Sequence, residues 1–231
     1  LAALDVREYT LFEEPAMSVL RGLDTTVELT RHAVALKEQG IDFVLRYYSR
    51  DAGKNLSLGE ARALSAAGLQ IGVVWEAAGT NVGYFTRAQG LEDGACAWRL
   101  AREAIGQPFG SSIYFAVDFD PTQADIDGAI QDYFTGVHAA LYAAGSGAPS
   151  YQVGVYGSGL CCATLVESGA ARFSWLAQSG AYAGTRQYAE QKLYNLIQTR
   201  AARILGADGM ILAIDPDATH PERDAGLFSL G

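Results

Sequence analysis

Short, near-continuous apolar runs alternate with helical stretches along this chain, and that alternation constrains its fold more than any other feature. The runs are Gly22–Thr26, Phe43–Ser49, Gln70–Ala77, Ser112–Asp120, Tyr151–Ser158, Arg172–Gln178, Lys192–Thr199 and Met210–Asp215. Parallel strands covered on both faces read this way. Helical segments lie between them. One spans Val27–Gln39 and stops at Gly40, and a second opens on a Ser57/Glu60 capping box and ends at Gly68. The Ala-rich stretch Tyr84–Ile105 is amphipathic, and Thr122 with Asp125 opens a helix running to about Ala144. Gly159–Ser168 is short, while Thr185–Gln191 and Arg200–Leu205 carry only weak helical signal.

Eight strands alternating with helices predict an α/β chain folded as one (β/α)₈ TIM-type barrel, somewhat irregular in its last three units. The rival architecture is an open doubly wound sheet. Its first turn needs a glycine-rich phosphate loop, and Leu23-Asp24-Thr25-Thr26 offers an acid there instead. The length of 231 residues suits a barrel, which typically needs roughly 200–250. Residues 1–20 are expected to pack on the barrel as an extension, with residues 21–231 forming the barrel itself. The tail after Asp217 is expected to be irregular.

Acidic residues number 26 against 17 Lys and Arg, for a net charge of −9. Such a chain repels phosphate backbones and anionic lipid, so nucleic acid and membrane are poor partners, whereas a glycan is compatible. No apolar run reaches the roughly 20 residues of a membrane span. Leu1–Leu11 shows no cationic start followed by an apolar block, as a signal peptide would. Cys96, Cys161 and Cys162 fit no zinc spacing and read as small apolar residues without a disulfide.

Barrel active sites form at the C-terminal ends of the strands. Five carboxylates fall there: Asp24 after the first run, Glu76 after the third, Asp118 and Asp120 after the fourth, Asp215 after the last. Side chains alternate along a strand, so Asp118 and Asp120 are expected to share a face with Cα atoms about 6.6 Å apart. Carboxylates held together repel, so one is pushed toward its protonated form, and a proton donor beside an ionised partner is what glycosidic cleavage requires. Arg46 lies within an apolar strand and is expected to pair with this cluster, keeping Asp118 ionised. Aromatic side chains crowd the strand ends at Tyr47, Tyr48, Trp75, Tyr156 and Trp175, where sugar rings could stack. Gln178 and Gln198 could bond sugar hydroxyls.

The same carboxylates could also hold Mg²⁺ or Ca²⁺. His32, His138 and His220 read as surface or helix-face residues, and no metal ligand or cofactor is assigned. No GxSxG elbow, P-loop or HExxH is present. Gly157-Ser158-Gly159 could bind an anion at a helix start or be simply a turn.

The segments GLDTT (22–26), FVLRYYS (43–49), GLQIGVVWEA (68–77), IYFAVDFD (113–120), VGVYGS (153–158) and ILAIDPDA (211–218) together resemble a glycoside-hydrolase-like family known as domain of unknown function 1906. The resemblance spans roughly residues 20–228. It implies a (β/α)₈ barrel related to the peptidoglycan-cleaving muramidases of glycoside hydrolase family 25. By motif, Asp24, the pair Asp118 and Asp120, and Asp215 match that family's strand-end acids. The muramidases end strand four in Asp-x-Glu with the Glu as proton donor, and Asp120 here is one methylene shorter. Glu76 is therefore the expected donor, with Asp120 the alternative. The implied function is hydrolysis of peptidoglycan or a similar amino-sugar polymer, in a secreted or envelope-associated protein. The alternatives are a catalytically silent carbohydrate-binding barrel and, third, a metal-dependent phosphoester hydrolase.

Overall fold

The computed structural model describes residues 18–147 and 150–231. The expectation for residues 1–20 therefore lies almost wholly outside the described residues. Among the described residues there are nine strands: β1 Arg21–Asp24, β2 Phe43–Tyr48, β3 Gln70–Trp75, β4 Ser112–Ala116, β5 Gln152–Gly157, β6 Phe173–Leu176, β7 Leu196–Gln198, β8 Ala202–Leu205 and β9 Ile211–Thr219. Strands β1 to β7 run parallel in sequence order. Strand β9 pairs with both β7 and β1 and closes an eight-stranded barrel.

The closing strand departs from a regular (β/α)₈ pattern because β9 is antiparallel to both neighbours. The segment Arg200–Leu205, expected as weak helix, instead contains β8, which forms a hairpin with the first half of β9. A turn explains the difference. Asp208 and Gly209 both take left-handed backbone angles, φ 58° and 73°, and the Gly206 N–H donates to the Met210 carbonyl at 2.7 Å. An Asp-Gly pair with positive φ favours a hairpin over a helix.

Strand alternation divides the apolar residues into two layers. Phe43, Leu45, Val74, Tyr114, Phe173 and Trp175 fill the barrel interior. Val44, Tyr48, Val73, Trp75, Phe115 and Val155 face the surrounding helices. Burying each such side chain contributes roughly 1.5–3 kcal/mol. Helices Arg87–Arg99 and Gln131–Ala144 lie against each other at glycines: a Cβ on Gly90 would strike the Tyr133 carbonyl, and one on Gly136 the Arg87 carbonyl.

The final residues, expected to be irregular, seal the N-terminal end of the barrel. The Tyr114 hydroxyl donates to the Ala225 carbonyl at 2.9 Å, and the Ser112 N–H to the Gly226 carbonyl at 2.9 Å. Phe228 and Ile71 exchange two backbone bonds of 2.7 and 2.8 Å. The barrel is thus stoppered at one end and open at the other. Among the described residues, no helix is long and apolar enough to cross a membrane.

Candidate active site

At the open end lies a cleft of about 270 Å³, with Asp24, Glu76, Asp118 and Asp215 in its wall. Tyr47, Tyr156, Trp175, Gln178 and Gln198 line it as well. Asp24 is the last residue of β1 and sits directly across from Asp215 on β9. Because β9 runs antiparallel, Asp215 enters the mouth from above rather than ending a parallel strand, and it reaches the expected place by a different route. Glu76 follows β3, with its N–H donating to the Tyr48 carbonyl at 3.0 Å. Asp118 lies two residues past β4, held by a 2.8 Å bond from its N–H to the Gly79 carbonyl.

Asp24 is almost fully buried and accepts from the Tyr47 hydroxyl at 2.7 Å and from Gln198 Nε2 at 2.6 Å. Gln198 is itself fixed by the Tyr156 hydroxyl, which donates to its Oε1 at 2.9 Å. Burial dominates the two donors and lifts the Asp24 pKa to about 6. The Tyr47 phenol, buried beside Asp24, is raised far above its ordinary value and stays a donor. Asp118 is also raised, first by burial and then by repulsion from Glu76. Glu76 forms an ion pair with Lys54 Nζ at 2.8 Å. Gln178 Nε2 donates to Asp215 Oδ1 at 3.4 Å.

Four of the residues picked from sequence lie elsewhere. Arg46 does not meet the acids: it points into the helix layer, where Nε and Nη2 bond the Glu60 carboxylate at 2.7 and 3.2 Å. It shares the outward face of β2 with Val44 and Tyr48, so period-two geometry takes it away from the cleft. Glu60 serves this pair and the Leu29 N–H (2.9 Å) instead of closing the capping box, although Ser57 does cap its N–H. Tyr48 is buried on the same outward face and donates to Gln107 Oε1 at 2.9 Å. Trp75 is buried in the helix layer as well.

Asp120 is absent from the cleft wall, and its Oδ1 accepts the Ala183 N–H at 2.8 Å. Strand β4 stops at Ala116, so no ladder holds Asp118 and Asp120 on a common face. At the Gly157-Ser158-Gly159 turn the first N–H groups of the following helix are already engaged within the protein. Gly159 N–H bonds Thr185 Oγ1, Leu160 N–H the Ala183 carbonyl, and Cys161 N–H the Ser158 hydroxyl. His32 and His220 are buried rather than on the surface, and each ring Nδ1 accepts a backbone N–H, from Ala207 and Glu222 respectively. His138 bonds the Ala170 carbonyl at 2.8 Å. Among the described residues, no three His, Cys, Asp or Glu are grouped to hold a metal ion.

Two residues that act on Asp24 escaped the sequence-based choice. Tyr47 counted only as one of several strand-end aromatics. Asp217 was passed over, yet it is 4% exposed and accepts the Trp175 indole N–H at 2.8 Å. The signal for it was present as Asp215-x-Asp217, which period-two alternation puts on one face of a strand.

Comparison with known proteins agrees with this architecture. Residues 34–219 match the family described as Rv2525c-like, glycoside hydrolase-like domain. The uncharacterized protein YbfG of Bacillus subtilis (strain 168) is 30% identical over 211 residues, covering 87% of this chain and 28% of YbfG. The chain spans about a third or less of the length of the curated relatives it matches. Among solved structures, the Tat-secreted protein Rv2525c of Mycobacterium tuberculosis, in complex with HEPES, superposes with a TM-score of 0.69 at 18% identity. That match covers 91% of this chain and 98% of the other. The spore cortex lytic enzyme SleM of Clostridium perfringens matches with a TM-score of 0.54 at 10% identity, over 93% and 71% of the two chains. At these identities the structural likeness shows the barrel fold.

Proposed function

The chain belongs to the Rv2525c-like family of glycoside hydrolase-like domains, and from that premise we propose that it hydrolyses peptidoglycan or a similar amino-sugar polymer in the acid-lined cleft. The observation that carries this reading is the meeting of Asp24, Glu76, Asp118 and Asp215 around one cleft that also presents aromatic and amide side chains. Glycosidic cleavage requires a proton donor and a nearby negative charge to stabilise an oxocarbenium-like transition state. Asp118 has the raised pKa a donor needs. It therefore replaces Glu76 as our choice of acid, since Glu76 is ion-paired with Lys54. The Asp118 proton passes to the leaving oxygen as the C–O bond breaks; water gives its hydroxyl to the anomeric carbon, and its remaining proton returns to the Asp118 carboxylate. Glu76 and Asp24 supply the negative field. Tyr156 and Gln198 hold Asp24 and its neighbours in position.

A secreted or envelope-associated location accords with this substrate and with the Tat-secreted structural neighbour. A second reading, glycan binding without cleavage, draws on the position of Asp120 outside the cleft wall, which leaves the muramidase-like donor position empty of function. Incubation with purified peptidoglycan separates the two. New reducing ends, lost in Asp118→Asn, support hydrolysis. Co-sedimentation with the polymer but no reducing ends supports the binding barrel. Neither binding nor release overturns both.

A further inference from the structure

Asp217 is a buried acid for which the cleavage chemistry above has no use, and its surroundings define a specific role. Its Oδ1 is occupied by the Trp175 indole N–H at 2.8 Å, while its Oδ2 is buried without a hydrogen-bond partner. On β9 it lies directly across from Gly22 of β1 and Gln198 of β7. Gln198 donates to Asp24, which lies two residues along β1 from Gly22 and so on the same face of that strand. The charges that act on it are those of acids, Asp24 first and Asp215 after it. No cation is among the groups acting on it, in contrast to Glu60 beside Arg46. A buried carboxylate with one donor, one bare oxygen and two acidic neighbours is not a tenable ionised group. A carboxylic acid there is tenable, because its hydroxyl converts the bare oxygen into a donor and Asp24 into the acceptor.

We propose that Asp217 is a neutral carboxylic acid whose Oδ2 hydroxyl donates to Asp24, making it the third donor to that carboxylate after Tyr47 and Gln198. It is a positioning residue. Trp175 orients it, and its proton lets Asp24 carry negative charge at a site where two carboxylates could not. The role rests on the reading of Asp24 as part of the cleft machinery, but its physical content does not depend on the reaction. The direction of its titration agrees: burial first, then the Asp24 charge, push the Asp217 carboxyl well above the carboxylate range, while the bond between the two lowers Asp24.

The test is infrared spectroscopy on the full chain carrying carboxyl-¹³C aspartate, with no substrate needed. Near neutral pH the spectrum should hold a protonated-acid carbonyl band that disappears in Asp217→Asn. The asparagine amide can still donate to Asp24, so the Asp24 midpoint should stay close to its starting value. Asp217→Leu removes the donor and should raise that midpoint by about one pH unit, a tenfold change in proton affinity. Two results overturn the proposal: no acid band lost in Asp217→Asn, or an Asp24 midpoint that falls in Asp217→Asn, as it would if a repelling charge had been removed. If the leucine variant does not fold, the band and the asparagine midpoint still decide. Absence of hydrolysis by the parent protein would reject the proposed function and leave these readouts standing.

Discussion

Strand β2 separates two buried ionic sites that reach neutrality in opposite ways. On its outer face Arg46 and Glu60 form a two-point ion pair, and further bonds to the Thr25 carbonyl and from the Leu29 N–H satisfy both ends. On the inner side Tyr47 reaches a group of acids, Asp24, Asp215 and Asp217, in which neutral donors replace any cation. The outer site is closed, and every charge in it is answered within the protein. The inner site is left electrostatically short, and protons make up the difference. A pair of the first kind fixes how a helix docks on a strand. A cluster of the second kind stores unfavourable charge where a positively charged transition state can use it.

Breaking the outer site should have the largest effect on stability. Arg46→Met leaves Glu60 as a lone buried charge and should cost about 3–5 kcal/mol, read as a lower denaturant midpoint. The protein that remains folded should keep its pH profile for cleavage. A changed profile would mean that the two sites are not independent.

For the inner site, Asp118→Asn should cost about 100- to 10,000-fold in hydrolysis while leaving the thermal midpoint almost unchanged. Asp24→Asn should separate function from stability. The folded-state pKa of Asp24 is raised to about 6, so its contribution to stability is fully present below about pH 4 and is lost as pH rises toward 6. The asparagine variant lacks that loss. Its advantage over the parent should therefore grow across this window, reach a few kcal/mol and level off above it, while hydrolysis falls. A constant difference across pH would place the Asp24 charge outside the stability balance. The smallest effect should come from Asp120→Asn, which keeps an acceptor for the Ala183 N–H. Stability should shift by under about 1 kcal/mol and hydrolysis by only a few-fold. A large loss of hydrolysis would return the donor role to Asp120.

Much of the barrel was legible because apolar runs and helix caps are local signals. The Thr122/Asp125 capping box and the Gly68 stop both stand in the structure. Strand direction is not a local signal. The run ending in Ile214-Asp215 reads alike whichever way it points, so the antiparallel β9 was not visible in it. The Asp208-Gly209 turn that reverses the chain was the available clue. In the site, alternation held the answer for Arg46 and Trp75, which share outward faces with Val44 and Val73. The attraction of a cation to acids outweighed that pattern in the sequence reading. Asp120 was misplaced for another reason: alternation holds only while a ladder holds, and β4 ends at Ala116. The Asp215-x-Asp217 spacing signals Asp217 only for a strand that runs on to Thr219, past the apolar run that ends at Asp215.

The closing strand also governs when the cleft can exist. Asp24 and the Gln198 that grips it stand 174 residues apart, and β1 finds its second neighbour only in residues 211–219. Contacts of such long sequence separation form slowly, and in a chain made from its N-terminus they must wait until residues 211–219 have been made. Asp24 therefore meets Asp215 and Asp217 only once β9 has been made and has closed the barrel.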